Sequence, residues 1–144
     1  MKFPETKKYI VRRIAATVID YSLVFAITIY YIYVVGTPND EGGYSVTGLP
    51  AFGPLLFWFF YFVIAEFALD GTVGHQIFHL KIVTVDNRPL TFGQVILRRI
   101  SDALEISWCF GLIAFILVKN TDYNQRLGDI WAKTLVTGKD ESFS

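Results

Sequence analysis

The sequence predicts an all-α polytopic membrane protein with two full transmembrane helices, a third apolar helical segment that is either re-entrant or a third span, and a short extended connector. Three observations predict it. Hydrophobic residues make up 53% of the 144 and charged residues 18%, too little polar surface for a soluble domain of this size. Two apolar runs, residues 14–35 and 51–69, have the length that a hydrocarbon core demands. None of the 13 Lys and Arg lies in the loop between those runs, the asymmetry expected when basic residues are held on the cytoplasmic side.

The first run is apolar apart from Thr17, Asp20, Ser22 and Thr28. It is too long for the h-region of a signal peptide and no small-x-small cleavage site follows it, so a retained anchor is expected. Tyr30, Tyr31 and Tyr33 fall where this helix leaves the bilayer, a favoured position for tyrosine. Residues 36–50 collect Gly, Pro, Asn, Asp and Ser and read as a short polar loop. In the second span Pro54 falls in the first turn, where it is tolerated.

Residues 70–91 break the apolar pattern, and 81–85 followed by Asp86, Asn87, Arg88 and Pro89 read as an extended piece and a turn lying outside the hydrocarbon. Residues 92–118 are helical in character, but Arg98, Arg99, Asp102 and Glu105 leave only 103–118 broadly apolar, with Gly111 interrupting it. The tail holds a short helix around 125–132 and a β-like stretch at 134–137. Basic residues before the first span, after the second and after the third segment should all prefer the cytoplasm. A third segment that dips in and returns satisfies all three groups, whereas a full third span places the tail outside.

Composition also excludes functions. The formal net charge is +0 and no basic block appears, so nucleic acid is not an expected partner. The single cysteine, Cys109, cannot form an intramolecular disulfide and reads as a small hydrophobe. No nucleophile with its base, phosphate loop or zinc signature is present, so neither enzymatic catalysis nor a cofactor is expected.

The residues with chemistry are the charged ones near or inside the spans, where insertion costs roughly 2.5–3.5 kcal/mol or more and a partner is the rule. Asp20 lies about 9 Å inside its apolar run, and Arg13, two turns earlier on the same face, can extend toward it. Glu66 lies about 5 Å inside the end of the second span, at a level close to that of Asp20, Asp102 and Glu105. Carboxylates converging there would raise one another's pKa, which suits protons exchanged against a hard cation. Alternatively these acids pair with Arg12, Arg13, Arg98, Arg99 and Arg126 and fix helix packing. His75 and His79, with Glu66 and Asp70 upstream, are weak metal-ligand candidates, since Gly71 and Gly74 interrupt any helix that would align them.

Arg13 and Asp20 in the run Arg-Arg-Ile-Ala-Ala-Thr-Val-Ile-Asp, and Asp129 in Gln-Arg-Leu-Gly-Asp-Ile-Trp-Ala-Lys-Thr-Leu-Val-Thr, resemble the arginine and two aspartates that name the RDD family of integral membrane proteins. The segment 74–85, then Pro89-Leu90-Thr91-Phe92-Gly93 and Arg98-Arg99, resembles that family's connecting region, so the likeness runs over about residues 9–137 as a single domain. One departure is Gly74-His75, where the family commonly has Gly-Lys. The resemblance implies a bacterial inner-membrane protein and a link to sodium or proton antiport.

Two functions compete. One is a transport component exchanging small cations or protons through Arg13, Asp20, Glu66, Arg99, Asp102, Glu105 and Asp129. Two or three helices cannot enclose a pathway, so it needs a homo-oligomer or a membrane partner besides the bilayer itself. The other is a non-transporting adaptor or assembly factor whose charged residues lock the fold. The amino terminus is expected in the cytoplasm of a multi-pass protein, and Arg13 and Asp129 are expected within direct or water-bridged reach, so that exchanging their charges should recover some of the stability lost in either single change.

Overall fold

The computed structural model describes residues 9–86, 88–109, 116–117 and 119–141. Helix α1, Ile10–Val35, buries one stripe, Arg13, Ala16, Asp20 and Val24, at the three- and four-residue steps of a single helix face. Its 26 residues extend about 39 Å. That exceeds the roughly 30 Å of a hydrocarbon core, so a bilayer over its apolar length leaves the turns with Arg12 and Arg13 outside.

A two-residue antiparallel pair, β1 (Thr37–Pro38) with β2 (Tyr44–Ser45), tightens the loop expected at 36–50. A 3₁₀ turn, Leu49–Phe52, leads into α2, Gly53–Leu69, with Pro54 in its opening turn, where no N–H is missed. Both long helices are apolar enough to cross a membrane, and most of their apolar length faces away from the protein. Tyr21 of one packs on Phe62 of the other in a tilted aromatic pair, with ring centroids 5.3 Å apart.

The connector differs from a plain extended piece. It contains a short helix, α3 (Val73–Ile77), which packs on α1. Gly74 permits this: a Cβ there would stand 2.2 Å from the Ala16 carbonyl oxygen. Beyond it β3 (Leu80–Thr84) pairs antiparallel with β4 (Thr134–Gly138), in register from Leu80 opposite Gly138 to Thr84 opposite Thr134. The fold is mostly helical rather than all-α, because two extended segments far apart in sequence satisfy each other's backbone groups. Leu80, Ile82 and Val136 of this ribbon join Tyr9 and Ala16 in a small apolar core, flanked by Phe78 and Leu90.

Helix α4, Phe92–Cys109, occupies the first part of the helical stretch expected at 92–118. The break expected at Gly111 lies outside the described residues, as do 110–115 and 118 of the apolar part expected at 103–118. Helix α5, Leu127–Ala132, packs on α4 where Gly128 comes close to the Arg98 backbone. Lys133, left-handed at φ 52°, then turns the chain into β4. The start of α1, the connector and the tail, which carry the basic residues, thus gather at one end of the molecule. Tyr9 donates to Glu141 at 2.9 Å and ties the first described turn to the last.

Candidate functional site

Two buried polar clusters lie at that end. In the larger, Arg98 is the hub: wholly buried on the inner face of α4, it donates through Nε to Glu66 of α2 and through Nη1 to Asp129 of α5 and to Thr134 Oγ1 of β4, the last at 2.6 Å. Its neighbour Arg99 donates to the other Glu66 oxygen and, at 2.6 Å, to Asp102. Arg99 also lies over the Phe62 ring, 4.7 Å from its centroid, a cation–π contact strengthened by burial.

Asp129 is the second node. It accepts from Arg13 Nη2 at 2.9 Å, from Arg98, and from the Arg126 backbone N–H at 3.0 Å, the last satisfying a free N–H at the start of α5. Arg13 also donates to the Asn124 carbonyl. Arg126 reaches Asp102 at 3.2 Å, and Glu105 accepts from the Leu127 N–H at 2.9 Å. Four guanidinium groups, Arg13, Arg98, Arg99 and Arg126, are thus interleaved with four acids, Glu66, Asp102, Glu105 and Asp129. Glu66, Asp102 and Asp129 do not converge on one another as the sequence suggested, because Arg98, Arg99 and Arg126 stand between them, while Glu105 accepts a backbone N–H. Burial pulls the Arg98 guanidinium down to about 10, with Glu66 opposing the fall. Burial acts on Arg99 in the same sense, but Glu66 and Asp102 outweigh it and hold that group above its ordinary value.

The smaller cluster is built on Asp20. The expected approach of Arg13 does not occur: no ion pair joins the two among the described residues, since Arg13 is taken by Asp129 and Asn124. Asp20 instead crosses to the connector. Its Oδ1 accepts from the Gly74 N–H at 2.8 Å and the Tyr61 hydroxyl at 3.0 Å, and its Oδ2 from the Thr72 hydroxyl. Thr72 has one hydroxyl proton, and an ionised Asp20 takes it. The Thr72 oxygen therefore accepts from Nδ1–H of His75, 2.7 Å away, which assigns the histidine tautomer. His75 Nδ1 itself is 3.9 Å from Asp20 Oδ2.

The structure thus brings six of the sequence candidates, Arg13, Glu66, Arg99, Asp102, Glu105 and Asp129, into one network and sets Asp20 apart. His79 lies beyond the end of α3, exposed and left-handed at φ 53°, so it shares no helix face with buried His75. Among the described residues no group of three or more His, Cys, Asp or Glu is placed to hold a metal ion. The hub role of Arg98 and the Tyr61 and Thr72 ligands of Asp20 were not foreseen. The adjacent pair Arg98-Arg99, too polar for a span and too apolar in its surroundings for a loop, was the available signal for the first.

No curated protein matches the chain, and no solved structure does. The family model described as the RDD family matches residues 9–133. That stretch contains Arg13, Asp20 and Asp129, and with two helices of membrane-crossing length and an arginine-centred network binding them at one end, the chain belongs to the RDD family and is a membrane protein.

Proposed function

We propose that the protein is a transport component of a bacterial inner membrane, exchanging protons against a small cation such as sodium, with Asp20 as the carboxylate that takes and releases the proton. One observation carries this reading: Asp20 is buried in a spanning helix and held by hydroxyl and amide donors with His75 behind them, and no arginine or lysine among the described residues pairs with it. Such a carboxylate can exchange its proton without breaking an ion pair. The Tyr61 and Thr72 oxygens beside it offer a hard cation the ligands that it prefers. Glu66, Asp102 and Asp129 are locked to guanidinium groups and serve as the frame, not the path.

The amino terminus, connector and tail lie in the cytoplasm. The third apolar segment returns to the side it leaves, a placement supported by the bond that joins Glu105 at its start to Leu127 beyond its end. A homo-oligomer or a membrane partner supplies the remaining wall of the path. Proteoliposomes containing a pH-sensitive dye test the reading: a sodium pulse should move the internal pH with wild-type protein and leave it still with Asp20→Asn. A wild-type protein that moves neither protons nor sodium overturns it. The close pairing of Glu66, Asp102 and Asp129 with guanidinium groups supports a second reading, a membrane adaptor whose charges are purely structural. Intact folding with no flux, together with a stable complex with another membrane protein, would favour it.

A further inference from the structure

Helix α4 is amphipathic in the inverted sense. At about 100° per residue, Val95, Arg98, Arg99, Ser101, Asp102 and Glu105 share one side of the helix, and all are buried. Phe92, Leu97, Ile100 and Leu104 occupy the opposite arc and are exposed, Ile100 by 50% and Leu104 by 47%. A helix bordering water shows the reverse. On α5 the arrangement repeats: Gly128, Asp129 and Ala132 face inward, whereas Ile130 and Trp131 face out.

We propose that the outer face of α4 and α5 is covered by lipid acyl chains of the inner leaflet, so that the bilayer itself closes the arginine network from water. The face is continuous with the outward surface of spanning helix α2: Phe67 meets Phe92 edge to face, with centroids 5.6 Å apart, and the two extend the row begun by Phe60 and Ile64. Charge is distributed to match. Lys133, exposed at the end of α5, stands at the level of anionic headgroups, and Trp131 takes the boundary position that its ring favours. A soluble partner would have to cover a surface already continuous with lipid.

Nitroxide labels on single cysteines at Ile100, Leu104 or Trp131, in full-length Cys109→Ala protein reconstituted in phosphatidylethanolamine and phosphatidylglycerol vesicles, test this. Three separate sites keep the test open if one variant fails to fold. Label relaxation by oxygen, relative to relaxation by a water-soluble nickel chelate, should match that at Ile64 on α2 and be several-fold above that at Thr47 in the polar loop. A ratio like that at Thr47 places water on this face and overturns the proposal. Low access to both reagents overturns it in favour of a protein cover, and spin–spin broadening would identify that cover as a second copy of the chain. Neither result depends on whether ions pass Asp20.

Discussion

Arg98 makes three side-chain contacts that no other residue type could make together, because a guanidinium fork directs several donors in fixed directions where an ammonium offers one compact charge. Arg98→Ala leaves Glu66 and Asp129 each short of a partner and should cost about 3–5 kcal/mol. Arg98→Lys should recover little of it. Thermal unfolding in detergent reads both, and an Arg98→Lys protein as stable as wild type would mean that charge alone suffices. Arg13→Ala should cost less, since Arg98 and Arg126 remain around Asp129. Asp20→Asn should cost least, because its amide oxygen keeps the Gly74 and Tyr61 bonds. The charge exchange suggested by sequence, Arg13→Asp with Asp129→Arg, should now give no recovery. It would set a new arginine beside Arg98 and Arg126, and like charges in a buried site repel. Partial recovery of thermal stability would contradict this. Sequence showed that Arg13 and Asp129 meet, but not that Asp129 is shared. Spacing along one helix put Arg13 near Asp20, yet Arg13's partners are 111 and 116 positions away and leave no local trace.

Among the elements, α3 is the one whose placement hangs on a single atom. Gly74→Ala would drive a methyl into the Ala16 carbonyl, force α3 off α1, and stretch the bonds from Thr72 and Gly74 to Asp20. The expected loss is roughly 1–3 kcal/mol of stability, with faster hydrogen exchange over residues 70–80 than in α2. Unchanged exchange there would show that the helices separate without loss. Both spans were legible because hydropathy is a local property, and Ile10–Val35 and Gly53–Leu69 start within four residues of the apolar runs at 14 and 51. The extended pieces at 81–85 and 134–137 were legible singly. Their pairing was not, since register between strands so far apart is set by α1 and the core beneath them. The inward charges of α4 were visible as residues, but sequence periodicity alone does not say which face of an amphipathic helix meets lipid.

For the whole molecule, α1, the connector and the tail meet at one end, and the charge asymmetry read from sequence makes the cytoplasm the expected side for it. In a Cys109→Ala background, cysteines at Arg12 and Lys133, both exposed, should resist a membrane-impermeant thiol reagent added to intact cells, whereas a cysteine at Thr47 should react. Reaction at Lys133 but not at Arg12 would place the tail outside and contradict the shared end. Network and topology stand together, because Arg13 cannot bond Asp129 across a bilayer.

The long reach of Arg13 has a consequence for how the chain is made. Helices α1 and α2 are synthesised before Asn124, Asp129 and β4 exist, so Arg13 reaches the membrane surface ahead of the residues that it bonds, and Glu66 is made ahead of Arg98 and Arg99. Until Asn124 and Asp129 are made, Arg13 has neither of the partners that hold it in the folded protein. Maturation is therefore a final clasp, not a gradual zippering: the tail must return to the membrane surface and lock β4 onto β3. Chains released before residue 124 should carry both spans in the bilayer and yet be cleared by membrane proteases faster than full-length protein. Pulse-chase comparison of the two measures that difference, and equal lifetimes would mean that the spans are secure without their clasp.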